Sequence, residues 1–244
     1  MKGMSVFSPG RVAAQPEFAL PRGLKFNARQ RMDGLKLLKL LPGNCAPLIF
    51  FDPQYRSVLD KQRYGNEGAR QKKRALLPQM SGETIRQFLA QSQRALMPGG
   101  HLMLWVDKFI FCAELPALLA GSQLQVVDML TWNKKRMGMG YRTRRVSEHI
   151  AVLQKPPVRA KGVWQDHGIP DVWDEKVSTA AHPHAKPVRL QERLIAATTN
   201  EGDIVIDPAA GGYSVLEAAQ NTGRRFLGCD MEDLCSPKLT NLNR

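Results

Sequence analysis

The sequence predicts an α/β protein built on one doubly wound, mostly parallel sheet with helices on both faces. Three observations predict it. Short apolar runs alternate with helical stretches from residue 24 to residue 230. The runs are apolar throughout rather than every second residue, as in strands buried on both faces. Strand–helix alternation is also the pattern of parallel strands joined by crossover helices. The 244 residues suit one domain of the larger kind, so residues 1–244 are read as a single domain with basic loop insertions.

The elements are justified in chain order. Residues 24–30 read as a short strand ending at Asp33. Residues 35–41 form a leucine-rich helix stopped by Pro42 and Gly43. Leu48, Ile49, Phe50 and Phe51, closed by Asp52 and Pro53, read as a buried parallel strand. Over 81–97, Ile85, Phe88, Leu89 and Leu96 share one helical face, Ser81 serves as N-cap, and Pro98, Gly99 and Gly100 end the helix. Residues 102–106 are the next strand and 109–119 a helix. Segments 124–132 and 149–153 are two strands flanking a basic loop. Segment 156–181 has little periodicity and carries Trp164 and Trp173. Pro187, whose φ suits a first helical residue, opens a helix running to about 199. A strand over 203–206, a helix over 214–221 and a strand over 225–229 complete the alternation.

The net charge of +13 is unevenly placed. Between 56 and 80 seven basic residues face two acids, and between 134 and 145 six face none. Two short segments thus hold most of the charge, which favours a polyanionic partner over two solvated loops. Arg56, Lys72, Lys73, Arg74, Lys134, Lys135, Arg136, Arg142, Arg144 and Arg145 are the candidate phosphate contacts. No apolar run approaches the roughly 18 residues that span a bilayer. Residues 1–15 lack the apolar core of a secretion signal, so a cytoplasmic protein is expected. Cys45, Cys112, Cys229 and Cys235 form no C-x-x-C pair and no histidines cluster at zinc spacing, so reduced thiols and no metal are expected.

Four aspartates, Asp33, Asp52, Asp207 and Asp230, follow predicted strands, the edge where open α/β sheets bind ligands. One such aspartate is more often a turn former; four together are harder to dismiss. Asp207-Pro208-Ala209-Ala210-Gly211-Gly212-Tyr213-Ser214 carries a strand through a small-residue turn into a helix. Such a turn lets a cofactor approach the backbone and offers its anionic group a helix N-terminus. Asp230, one βα unit later, can accept from ribose hydroxyls. Asp52-Pro53-Gln54-Tyr55 offers a carboxylate, a backbone carbonyl held by proline and an aromatic face.

These residues resemble a family. Asp52-Pro53-Gln54-Tyr55 is similar to the D-P-P-Y motif of the amino-methyltransferases of DNA. Asp207 to Ser214 resembles their D-P-F-x-G-S-G-T cofactor motif, and His182-Pro183-His184-Ala185-Lys186-Pro187-Val188 their H-P-T-Q-K-P-V motif. The order of the three resembles the β group, circularly permuted relative to other methyltransferases, and the likeness extends from about 24 to 230. Gln54 stands where the family has a second proline, Ala209 where it has phenylalanine, and Gly-Gly-Tyr where it has Gly-Ser-Gly.

The resemblance implies a Rossmann-like methyltransferase fold, with a catalytic half over about 24–155, a short target-recognition segment over 156–181 and a cofactor half over 182–230. It implies S-adenosylmethionine as cofactor and the N6 amine of adenine in double-stranded DNA as acceptor, reached by base flipping. Asp33, His182, His184, Lys186, Asp207, Ala209, Gly211 and Asp230 would bind the cofactor, and Asp52, Pro53, Gln54 and Tyr55 would act on the base. An adenine amine is a poor nucleophile because its lone pair is delocalised into the ring. Acceptors on both of its N–H groups favour a pyramidal, reactive nitrogen, and Tyr55 would stack the flipped base. Positioning and hydrogen bonding, without a metal or a covalent intermediate, would carry the reaction. RNA adenine, cytosine N4 and a catalytically inactive DNA-binding relative are the other readings. A monomer or homodimer is expected. With little chain beyond the core to read base edges, the expected sequence preference is short or relaxed.

Overall fold

The computed structural model of the chain describes residues 15–54, 80–138, 142–158, 162–177 and 185–231. Its elements are α1 (Gly34–Leu40), β1 (Ala46–Phe51), α2 (Gly82–Ala95), β2 (Leu96–Val106), a π-helical turn (Ile110–Glu114) running into α3 (Leu115–Leu119), β3 (Gln125–Asn133), β4 (Ser147–Gln154), β5 (Val172–Asp174), α4 (Val188–Thr198), β6 (Ile204–Asp207), α5 (Ser214–Asn221) and β7 (Arg225–Gly228). The strands form one sheet in the order β5-β3-β4-β2-β1-β6-β7. β1 pairs in parallel with β2 and β6, β6 with β7, and β3 with β5. β4 alone runs the other way, between β2 and β3.

The doubly wound architecture follows from β1, whose six residues are all buried. Successive side chains of a strand point to opposite faces. Ile49 and Phe51 pack with Leu37, Leu38, Phe88 and Leu89 of α1 and α2, whereas Leu48 and Phe50 pack with Leu190, Leu194, Val215 and Ala218 of α4 and α5. A strand that feeds two cores has no face left for polar residues. Ser81 caps α2 as its type predicts, its hydroxyl accepting from the Thr84 N–H at 3.1 Å. At α4 the cap is remote. Pro187 occupies the N-cap position rather than the first turn and has no side-chain acceptor. The Glu175 carboxylate instead accepts from the N–H groups of Arg189 and Leu190, a negative group at the positive end of the helix.

The structure corrects several expectations. Residues 24–30 form no strand. Asn27 adopts φ 54° and pairs with Phe226 in both directions, donating its N–H to the carbonyl and accepting the Phe226 N–H on Oδ1. Gln30 Nε2 donates to the Gly228 carbonyl. Side chains and isolated backbone groups together thus satisfy the β7 edge that a strand would have paired, and Arg31 and Asp230 make a single β-bridge. Asp33 therefore follows no strand; it is the N-cap of α1, accepting from the Lys36 N–H at 2.8 Å.

Pro98, Gly99 and Gly100 lie inside β2 instead of before it. The register with β1 shifts there, from Ala46↔Leu96 to Leu48↔His101, and Gly99 takes φ 77°; an irregularity of this kind accommodates proline in a ladder. The helix predicted over 109–119 opens as a π turn, with the Leu115 N–H reaching back to the Ile110 carbonyl. Pro116 has no N–H with which to restore the α register at the next position. β3 is exposed over its first four residues, because its outer neighbour β5 pairs only with Thr131, Trp132 and Asn133. Among the described residues no helix is long and apolar enough to cross a membrane, no cluster could hold a metal, and Cys45, Cys112 and Cys229 are free.

Candidate active site

Parallel strands deliver their C-terminal ends to one edge of a sheet. Here that edge receives Asp52 from β1, Trp105 from β2, Asp207 from β6 and Asp230 just beyond β7. Because β4 is antiparallel, its first residues reach the same edge and bring Glu148. β1 and β6 are direct neighbours, with Leu48 opposite Val205 and Ile49 opposite Ile206. A cleft opens over these ends, lined by Asp33, Asp52, Trp105, Lys186, Asp207 and Asp230 among others. Its volume is about 240 Å³; one water needs about 10–15 Å³ by such a measure, so the cleft admits an organic ligand.

The turn after β6 is held by hydrogen bonds that its own residues supply. Asp207 Oδ1 accepts the Ala209 N–H at 3.1 Å, and the Ala210 N–H donates to the Cys229 carbonyl at 3.0 Å. The Gly211 N–H donates to Asp230 Oδ2 at 2.9 Å, so this aspartate braces the turn as well as lining the cleft. Gly211 has φ 47°, left-handed backbone that favours glycine. Tyr213 is also left-handed, and its hydroxyl donates to the Gln30 carbonyl and accepts the Gln30 N–H. The turn is thereby stapled to the segment that leads into α1. Gly34 of α1 packs so tightly against it that a Cβ there would lie 2.0 Å from the Pro208 carbonyl oxygen.

Beside this turn, β1 presents Asp52. Its Oδ2 lies 2.9 Å from Lys186 Nζ, which is also 2.8 Å from Glu148 Oε2 and 4.5 Å from the centroid of the Trp105 ring. Lys134 Nζ stands 3.3 Å from the other Glu148 oxygen. Burial alone would raise the Glu148 carboxyl, but the Lys186 and Lys134 ammonium groups outweigh it and bring it down to about 2. Burial works against a charged Lys186, and Asp52 and Glu148 overcome it, holding the ammonium above the usual lysine range. Burial, with repulsion from Asp52 and Asp230, pushes the Asp207 carboxyl up to about 8. The Ala209 N–H and the Lys186 ammonium also favour an ionised Asp207, but less than its surroundings oppose it.

Of the residues predicted from sequence, Asp33, Asp52, Gln54, Lys186, Asp207, Ala209, Gly211 and Asp230 line this one cleft, and Pro53 is buried beside it. Lys186, grouped with the cofactor on sequence, has its ammonium on Asp52. Tyr55, His182, His184, Arg56, Lys72, Lys73 and Arg74 lie outside the described residues. The remaining basic candidates are not in the cleft. Lys134 contacts Glu148, Lys135 pairs with Asp174 at 2.6 Å, and Arg145 is 3.8 Å from Asp107; Arg136, Arg142 and Arg144 are exposed. Glu148, Trp105 and Gly34 were missed. The signal for Trp105 was its place at the end of an apolar run. Glu148 gave none, because its edge depends on the direction of β4.

Known proteins resemble this chain in sequence and in fold. A family model described as DNA methylase matches residues 47–236. The Type II methyltransferase M.HhaII of Haemophilus parahaemolyticus is 53% identical over 207 residues, covering 84% of this chain and 91% of that protein. A putative methylase of Escherichia coli K12, YubD, is 29% identical over 82% of each chain. Among solved structures, the PvuII DNA methyltransferase (cytosine-N4-specific) shares the fold with a TM-score of 0.64 at 14% identity, covering 86% of each chain. The M1.HpyAVI–SAM complex does so with a TM-score of 0.59 at 19% identity, covering 85% of this chain and 94% of that one. With the family match and the 53% identical relative both spanning most of its length, the chain belongs to the DNA methylase family.

Proposed function

We propose that the enzyme, a cytoplasmic monomer or homodimer, transfers a methyl group from S-adenosylmethionine to the N6 amine of adenine in double-stranded DNA, acting on a flipped base. The observation that carries this reading is the adjacency of two strand ends. Asp52 of the D-P-Q-Y segment and the Asp207 turn stand on neighbouring, registered strands and open into one cleft. The residues suit the donor. Gly211 and Gly212 let it lie close to the backbone, and Asp33, Asp207 and Asp230 line the cleft with acidic groups suited to a cationic, hydroxyl-bearing donor. Bound there, S-adenosylmethionine supplies the electrophilic methyl. Asp230 and the 208–212 turn hold it, Asp52 and the Pro53 carbonyl accept the two amine N–H groups, and Tyr55 stacks the base. The M1.HpyAVI and TTHA0409 structures determined with the same donor support the cofactor.

Donor titration, with labelled-methyl transfer to DNA and to RNA, tests the reading. Label at adenine N6 of DNA is expected. Label at cytosine N4, label on RNA, or donor binding with no transfer would each replace it with one of the other readings. Sequencing of the methylated DNA measures preference. Many adenine contexts are expected from basic segments too short for a core of their own; one fixed motif of four or more base pairs would overturn that.

Two further results are expected. Asp230→Ala should weaken donor binding by about 1.5–3 kcal/mol, the range for hydrogen bonds to a charged group. Asp230→Asn, which keeps an acceptor for the Gly211 N–H, should lose less. Unchanged affinity by calorimetry in both would reduce Asp230 to a brace. The second concerns pH. A carboxyl raised to about 8 is mostly protonated at neutrality, and a cationic donor favours its ionised form. Binding should therefore release a proton, and affinity should rise with pH until about 8. Calorimetry in buffers of different ionisation enthalpy reads the proton; a pH-independent Kd with no proton release would refute the coupling.

A further inference from the structure

Lys186 lies across the end of β2, over Trp105, and joins Asp52 on β1 to Glu148 on β4. Its side chain is only 14% exposed. An ammonium has three hydrogens and no acceptor. Two directions are taken by carboxylates, at 2.9 and 2.8 Å, and the indole face covers another. A cation committed in this way has little left to give a bound donor. Its burial is tolerable because carboxylates flank it: either one alone still leaves the ammonium paired, and only removal of both would leave a buried charge without a partner.

Two acids for one ammonium have a consequence for Asp52. Paired alone with Lys186, Asp52 would be neutralised by a close cation. Shared between Asp52 and Glu148, the same ammonium fixes Oδ2 and leaves Oδ1 with acceptor capacity for the amine. Lys134, at the start of the basic loop, holds the other oxygen of Glu148, which keeps that carboxylate aimed at Lys186. Asp52 is thus oriented from one side by protein and open on the other to substrate.

We infer that Lys186 and Glu148 are positioning residues for Asp52: Lys186 orients its carboxylate toward the reacting amine, and Glu148 holds Lys186 and prevents it from neutralising Asp52 outright. This rests on Asp52 acting at the amine, as proposed above. It moves Lys186 from the donor to the catalytic carboxylate, and it brings in an acid that no motif contains.

The test uses the full chain with Glu148→Gln, Lys186→Met and the double variant. Single-turnover transfer to DNA, donor Kd by calorimetry and Tm are measured for each. Each single variant should lose about 10- to 100-fold in rate, the scale on which misplacement of a reacting group costs, with donor Kd unchanged. The double variant should be no slower than Lys186→Met, since Glu148 acts through Lys186. A merely structural pair would lower Tm without changing the rate of the folded fraction, and that result overturns the inference. So do additive losses in the double variant, or a rise in donor Kd for Lys186→Met that accounts for its loss of rate. Glu148→Gln preserves shape and carries the test should Lys186→Met fail to fold. If the unmodified enzyme transfers no methyl group to DNA, the proposed function fails instead, and that outcome is visible before any variant is made.

Discussion

Asp52→Ala should reduce methyl transfer by about 100- to 1000-fold, the usual cost of removing one preorganised group from a reacting centre, while donor affinity and folding survive. The physical reason lies in what Asp52 touches. Its carboxylate is at the end of β1 with Lys186 on one oxygen, and the backbone N–H groups of the turn after β6 go to Asp207, Asp230 and the Cys229 carbonyl instead. The fold tolerates the change because Lys186 keeps Glu148 as its partner at 2.8 Å. Single-turnover transfer and donor calorimetry, on the same preparation, read the two halves of the claim. Near-wild-type turnover would remove Asp52 from the chemistry. Equal losses of donor binding and of rate would place it at the cofactor.

Gly34→Ala should destabilise the protein by about 3 kcal/mol, at the upper end of what overpacking costs, and should weaken donor binding with it. By helix propensity alone the change would help, since alanine in a helix is favoured over glycine by about 1 kcal/mol. Gly34 has no left-handed backbone to excuse it. The added Cβ would meet the Pro208 carbonyl oxygen at 2.0 Å and the Phe88 ring at 2.9 Å. The ring can shift; the carbonyl belongs to the turn after β6, whose neighbours are tied to Cys229 and Asp230. Relief therefore means moving either α1 or the turn. Denaturant unfolding gives the stability and calorimetry the affinity. A neutral or stabilising Gly34→Ala would show that α1 does not bear on the turn.

The two variants mark how much was readable in the chain. Asp52 was legible because its neighbours in sequence, an apolar run before it and Pro53 after it, already describe a strand end with a rigid acceptor. Asp207, Gly211 and Asp230 were legible in the same way. Gly34 was not: nothing within α1 asks for glycine, and the demand comes from Pro208, far along the chain. The segment 24–30 misled for a related reason. It does lie along the edge of β7, but Asn27 and Gln30 replace part of the ladder with side-chain bonds, a route that strand periodicity does not describe.

Local sequence determined the alternation of strands and helices, the burial of β1 on both faces, the cap at Ser81, the small-residue turn after β6 and the aspartates that line the cleft. Each rests on residues within a few positions of one another, where backbone sterics, apolar periodicity and turn chemistry act. Tertiary structure alone decided that β4 runs against the other strands, that Glu148 consequently reaches the edge where they end, and that Lys186 stands between Glu148 and Asp52. Those outcomes depend on which strand packs beside which, and on charges that must find partners once buried. Sequence spacing carries no trace of either, because the groups involved come from three separate stretches of the chain and meet only when the sheet is complete.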